Sequence, residues 1–300
     1  MDACATPASA DSLAVVIPAF KVKYLRATLN SLAEQTDRRF QVVVGNDGGP
    51  VEIDDICREF AARVDLRYHR WPENLGGRSL TSHWHRCIDL TNARWIILLG
   101  DDDQLDPACV EAFHACRAQG GDFDLYRFDT RQVDAHGRVL RENPLHPAVS
   151  SSTDFLRERF KGHSSYANEF VFDRYHFQAS GGFVEFPMAW CSDDATWVRL
   201  GLRTGMARIA GPKVSWRLSG DNISSFNLGT ARRKMQVFLD FFDWLEQMAG
   251  PDGPGLQLGH DVRCASAEFF NYRLAQSGVA LSPGEVWRTA RRLARFSGVP

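Results

Sequence analysis

Asp101, Asp102 and Asp103 close an apolar run, Trp95-Ile96-Ile97-Leu98-Leu99-Gly100, that is far too short to cross a bilayer. Such a run reads as a buried strand with the three acids at its carboxyl end. In an open α/β sheet, ligands bind at that edge. Three adjacent like charges repel one another, and a bound cation relieves the repulsion. Hard, oxygen-seeking ions such as Mg²⁺ or Mn²⁺ suit paired carboxylates and commonly share them with a diphosphate. The plainer alternative is a solvated acidic turn ahead of a helix that Asp106 caps and Pro107 opens.

Four other clusters carry chemistry. Pro18-Ala19-Phe20 ends an earlier apolar run, and its backbone and the Phe20 ring could hold a flat base. Asn46-Asp47-Gly48-Gly49 ends the next run; an Asp there can accept the imide N–H of uracil or thymine, while the glycines let backbone approach. Asn74-Leu75-Gly76-Gly77-Arg78 could bring Arg78 to a phosphate. Trp190-Cys191-Ser192-Asp193-Asp194 sets two acids at the start of a helical pattern. The helix dipole favours acids there by itself, and a carboxylate among aromatics is also a good general base. His163, His176 and the other histidines lack ligand spacing and read as bystanders.

The elements that must position these clusters alternate. Residues 13–17, 41–44, 66–68 and 95–99 read as strands, and helical patterns lie between and after them: Leu25, Leu29 and Leu32, then Ile53, Ile56 and Phe60, then residues 84–90, then a helix bearing Phe113. Strand–helix alternation implies βαβ units and a mostly parallel sheet. Farther on, the spacing predicts a hairpin over 133–139, a capped helix over 151–160, a strand over 170–172 and a helix over 193–202. From Phe226 the pattern is helical, with the stripe Met235, Phe238, Leu239, Phe242 and Leu245, a second helix ending at Gly278, and a last one opened by the capping box Ser282-Pro283-Gly284-Glu285. The divisions expected are a disordered tail over 1–12, a first half over 13–127, a second over 128–225 and a helical extension over 226–300.

With 300 residues, 44% hydrophobic and 24% charged, the chain has the make-up of a globular protein, and a net charge of −2 argues against nucleic acid as partner. The first residues lack a basic and then apolar leader pattern. Seven cysteines, without a CxxC pair, fit reduced thiols in a cytoplasmic protein. The last helix carries Arg288, Arg291, Arg292 and Arg295 beside Trp287, Leu293 and Phe296. Peripheral contact with the inner face of the plasma membrane, or docking on the domain, would both use that pattern.

In order and spacing, the clusters above, with Trp84-His85-Arg86-Cys87-Ile88, resemble family 2 glycosyltransferases, most of all the bacterial branch that builds lipopolysaccharide, capsule or other surface glycans. The resemblance covers residues 13–222. It implies the GT-A fold: a Rossmann-like, mixed, mostly parallel α/β sheet flanked by helices. It also implies an inverting transfer from a nucleoside-diphosphate sugar, UDP- or TDP-linked, to a hydroxyl of a glycan or lipid-linked acceptor. On this basis Pro18, Ala19, Phe20, Asp47, Gly76, Arg78 and Asp101 hold the nucleotide. Asp102, with Asp103 adjacent, holds Mn²⁺ or Mg²⁺. Asp193 is the base, with Asp194 the alternative, and Trp190 faces the acceptor.

The chain departs from the family pattern at several points. Gly100 stands where many members have an acid, and Ser192 replaces a Glu. His83, Trp84 and Arg86 occupy the place of an Ala-Arg-Asn element, and a late metal-binding His is missing near Trp216, where Asn222 or water would substitute. A sugar nucleotidyltransferase would need a basic glycine-rich loop after the first strand, which residues 18–24 lack. A non-catalytic module of the same fold would not need both the metal acids and a base.

Overall fold

The computed structural model describes residues 9–220 and 228–298. Asn222 and Phe226, and residues 1–8 of the expected tail, lie outside them. Within the tail, the Ala10 carbonyl accepts the Trp95 indole N–H at 3.1 Å.

In chain order the elements are β1 (Leu13–Ala19), α1 (Leu25–Ala33), β2 (Gln41–Asn46), α2 (Glu52–Phe60), β3 (Leu66–Arg70), α3 (Leu80–Ile88), β4 (Trp95–Leu98), β5 (Gln104–Leu105) and α4 (Cys109–Ala118). There follow β6 (Leu125–Val133), β7 (Val139–Glu142), β8 (Val149–Ser150), α5 (Ser152–Phe160), β9 (Phe170–Asp173), α6 (Arg174–Ala179), α7 (Ser192–Thr204) and β10 (Met206–Arg217). Three helices complete the chain: α8 (Leu228–Ala249), α9 (His260–Ser277) and α10 (Pro283–Ser297).

One mixed sheet runs in the order β3-β2-β1-β4-β9-β6-β10-β5, with β7 on β6 and β8 on β10. It is parallel from β3 to β4 and between β6 and β10, while β9 enters antiparallel to both β4 and β6. The 127/128 division falls inside β6.

β1 is apolar throughout because both its faces are covered. Ala14 and Val16 join the core shared with α3, α7 and the C-terminal helices. Leu13, Val15 and Ile17 join the core under α1, α2 and α4. α5 begins where a capping box forms between Ser151 and Asp154, and a second box joins Ser282 to Glu285 at α10. The stripe expected in α8 is buried: Met235, Phe238, Leu239, Phe242 and Leu245 all lie in the core.

Asp106 corrects one expectation. It does not cap α4, whose first turn starts after Ala108 without a side-chain cap. Its carboxylate instead pairs with Arg131 and accepts the Lys213 N–H at 3.0 Å, tying the 104–107 segment to β6 and β10. A charge-assisted partner outcompetes a local backbone N–H.

This layout positions the site. The parallel strands β1, β2 and β4 end on one edge, so residues 18–20, Asp47 and the three acids meet there. Reversed β9 brings the preceding segment, 165–169, alongside the acids. α7 is fixed to the sheet by Trp197, which is fully buried and stacked on Phe170 with centroids 4.6 Å apart. The apolar surface of the ring, buried between β9 and α7, anchors the helix that carries Asp193.

Candidate active site

A cavity of about 510 Å³ opens at that edge, within the range of small-molecule sites. It is lined by Pro18, Phe20, Asp47, Gly76, the acids 101–103, Trp190, Asp193 and Asp194, so the clusters far apart in sequence share one space. Two residues of the sequence reading stand aside. Ala19 supplies only its carbonyl, which accepts the Asp47 N–H at 2.9 Å. Arg78 is exposed and pairs with Glu73 at 2.8 Å.

Asp47 is buried at the end of β2. Its Oδ1 accepts the Leu75 N–H and its Oδ2 the Gly76 N–H, each at 2.8 Å, and Arg86 forms an ion pair with it. The carboxylate thus closes the 74–77 loop beside the cavity. A Cβ on Gly76 would stand 2.7 Å from Asp47 Oδ2, which is why the loop needs glycine there. Arg86 also lies 4.0 Å from the Trp71 ring centroid. His83 Nδ1 accepts from Arg86 Nε at 3.0 Å, a pattern that assigns the ring proton to Nε2. Burial pushes the His83 pKa down to about 4, so the ring is neutral.

Asp101 is tied to the turn after β1, whereas Asp102 and Asp103 share Arg217. Asp101 Oδ2 accepts the backbone N–H groups of Phe20 at 2.9 Å and Lys21 at 2.7 Å, pinning the turn after β1. Burial raises its pKa to about 6, with the Asp102 charge adding to the rise. Asp102 Oδ2 accepts from Ser219 Oγ at 3.1 Å, and its carbonyl accepts from Arg217 Nε at 2.8 Å. Asp103 Oδ1 accepts the Arg217 N–H at 2.9 Å. Burial first, and then the Asp102 charge, hold the Asp103 carboxyl well above the usual range.

Gly100 explains part of this geometry. A Cβ at that position would meet Asp103 Oδ2 at 2.6 Å and Asp102 Oδ1 at 3.2 Å. The space of the missing side chain is filled by two converging carboxylate oxygens. Among the described residues no three His, Cys, Asp or Glu side chains form a ready cage for a metal. Mg²⁺-type ions seldom use such cages; they take one or two carboxylates, water and substrate phosphate. Two buried, mutually repelling carboxylates over Gly100 fit that mode.

Across the cavity, the chain enters α7 through a constrained segment. Met188, Ala189 and Cys191 have φ of 63°, 53° and 63°, a left-handed conformation unfavourable for residues with a Cβ. Asp194 is buried, and its Oδ2 accepts from Arg159 Nε at 2.8 Å. Asp193 is only half-buried, and its Oδ1 accepts the Asp194 N–H at 3.0 Å. Desolvation, then the Asp194 charge, raises the Asp193 pKa to about 7. Trp190 is packed into the C-terminal helices: Lys234 Nζ lies 4.4 Å from its ring centroid, and Phe238 meets it edge-on.

Several lining residues have no role in the sequence reading: Lys21, Arg159, Tyr166 and Asn168 are not singled out, and His83, Trp84 and Trp216 enter only as departures from the family pattern or as neighbours of one. Arg159 lay in a segment legible only as a capped helix. Trp216 precedes Arg217 at the end of β10; the family resemblance sets that stretch near the metal acids but gives Trp216 itself no task.

The sequence pattern of Glycosyl transferase family 2 matches residues 14–179 of the chain. Glycosyltransferase GlyA of Streptococcus pneumoniae serotype 4 is 27% identical over 105 residues, which is 35% of this chain and only 15% of that protein. Among solved structures, S. aureus TarS 1-349 in complex with UDP-GlcNAc superposes with a TM-score of 0.69 at 14% identity, over 96% of this chain and 82% of that one. Mannosyltransferase PcManGT from Pyrobaculum calidifontis, in complex with GDP-Man and Mn²⁺, gives a TM-score of 0.57 at 14% identity, over 95% and 81%. These likenesses establish the GT-A fold. With more than half of the chain covered by the family pattern, the protein belongs to glycosyl transferase family 2.

Proposed function

We propose that the protein transfers a sugar from a nucleoside-diphosphate sugar, UDP- or TDP-linked, to a hydroxyl of a glycan or lipid-linked acceptor, inverting the anomeric centre. The observation that carries this is one cavity with buried acids on one wall and the half-buried Asp193, pKa about 7, on the other. Asp193 takes the proton of the attacking hydroxyl. Phe20 and Asp47 hold the base; the carboxylate retains one acceptor position on Oδ2 for an imide N–H. TarS with UDP-GlcNAc supports a uridine donor.

Asp102 and Asp103 would hold Mn²⁺ or Mg²⁺, supported by the convergence over Gly100 and by Mn²⁺ in PcManGT. When bound, the ion supplies charge stabilisation for the departing diphosphate. UDP or TDP with Mn²⁺ raises the melting temperature in this reading, and EDTA removes most of the gain. Equal stabilisation without metal would refute the metal assignment, and none from any nucleoside diphosphate would refute the donor class.

We further infer action at the cytoplasmic face of a membrane, in surface-polysaccharide synthesis. No helix among the described residues is long and apolar enough to cross a membrane. α10 docks through Arg292 and Arg295, which pair with Asp240 and Asp243 on α8. Its outer side still exposes Val286 and Trp287 beside Arg288 and Arg291, a mixture suited to anionic lipid. Flotation on anionic liposomes tests this: unchanged binding after Trp287→Ala and Arg291→Ala would rule out α10 as the contact.

A further inference from the structure

Tyr166, from the segment before β9, and Trp216, at the end of β10, stack with centroids 4.7 Å apart and planes within 12°. Gln132 Nε2 donates to the Tyr166 hydroxyl at 2.8 Å and fixes that ring. Both rings are half-buried and line the cavity instead of joining the core. Next to them in the chain, Ser165 Oγ and the Asn168 carbonyl Oδ1 are buried without a hydrogen-bond partner among the described residues, while the Asn168 amide N–H faces the Asp103 carboxylate, and both residues line the same cavity. Native proteins satisfy about nine in ten such atoms. These two orphans, a hydroxyl and an amide oxygen, therefore call for a ligand that carries hydroxyl groups.

We propose that the Tyr166–Trp216 stack, with Ser165 and Asn168, is a hexose subsite, the rings covering the sugar's apolar C–H face and the orphaned groups reading its neutral hydroxyls. No ionised side chain belongs to the set, which suits hydroxyls and not a phosphate. Its place also separates it from the base pocket. Arg217, directly after Trp216, donates to Asp103, and Asn168 adjoins that same carboxylate, whereas Phe20 and Asp47 directly follow β1 and β2, on the other side of β4 from β9 and β10. The hexose could come from the donor or from the acceptor glycan. The proposal rests on the nucleotide-sugar reading for its setting, and the test separates the two.

Trp216→Leu, Tyr166→Leu and Ser165→Ala are compared with wild type, the last deleting a single unpaired oxygen and leaving the packing intact. Calorimetry measures UDP, UDP-glucose, UDP-galactose and UDP-GlcNAc. Tryptophan fluorescence follows the methyl hexosides with and without UDP. The expected result is unchanged UDP affinity together with a loss of about 3–10-fold in hexose-dependent binding, the scale of one aromatic contact. A loss confined to the UDP-hexoses assigns the donor sugar; a loss confined to the hexosides assigns the acceptor. Weakened UDP binding in the ring variants would overturn the proposal, because the stack would then hold the base. Hexose binding equal to wild type in all variants would overturn it as well. Failure of wild type to bind UDP would count against the nucleotide-sugar reading, while the nucleotide-free hexoside arm still decides the subsite.

Discussion

Arg159 Nε donates to Asp194 Oδ2 at 2.8 Å and leaves the neighbouring Asp193 without a cationic hydrogen-bond partner among the described residues. Two adjacent carboxylates are thereby given different tasks. Asp194 is committed to an ion pair that holds the start of α7 against α5. Asp193 keeps a raised pKa, near 7, because burial disfavours its charge and Asp194 adds repulsion.

A pH profile follows. A base works only when ionised, so kcat/KM rises as pH passes through about 7 and then levels. Stability moves the other way. A carboxyl whose folded pKa lies above its unfolded value adds stability below the unfolded pKa, near 4, and loses it as pH rises through 7. Asp193→Asn is therefore expected to raise the melting temperature at pH 8 and leave it nearly unchanged at pH 4. An equal effect at both pH values would contradict the raised pKa.

Gly100→Ala tests the convergence of the acids. The new Cβ would press on Asp103 Oδ2 from 2.6 Å, so the carboxylate must move. Metal-dependent stabilisation by UDP falls at least about tenfold in apparent affinity, the scale on which displaced metal-site partners act. Overall melting shifts little. Retained Mn²⁺ dependence would mean that the ion is held elsewhere.

Arg127→Met probes the floor under the site. Arg127 Nε donates to Glu169 Oε1 at 2.9 Å, and both residues are buried. Removing the cation strands the carboxylate, at a cost of about 3–5 kcal/mol. Burial already raises the Glu169 pKa, and protonation would relieve part of the loss. Urea unfolding should therefore show a larger penalty at pH 8 than at pH 5, and a pH-independent penalty would point to lost packing instead.

Much of this site was legible because its acids follow strand ends. A buried strand announces itself by an unbroken apolar run, and β1, β2 and β4 place their last residues together whatever the intervening helices do. Helix ends with local chemistry were equally readable, as at Ser151 and Ser282. The reading failed where a side chain chose a distant partner. Asp106 looked like a cap but binds Arg131 and the Lys213 N–H, and Arg78 looked like a phosphate ligand but pairs with Glu73. Tyr166 and Trp216 meet only through sheet order, with β9 inserted antiparallel between β4 and β6. No local spacing encodes that crossover.

The assignment of the base is tested most directly by paired substitutions at Asp193 and Asp194. Asn preserves the shape and the oxygen that accepts the Asp194 N–H, but it cannot take a proton. Transfer should fall by roughly 10²–10⁴-fold in Asp193→Asn, while affinity for UDP with Mn²⁺ stays within about twofold, since ground-state binding is untouched. Asp194→Asn should mainly lower stability, with a smaller loss of transfer. Abolished transfer in Asp194→Asn with near-normal turnover in Asp193→Asn would contradict the division of labour set by Arg159.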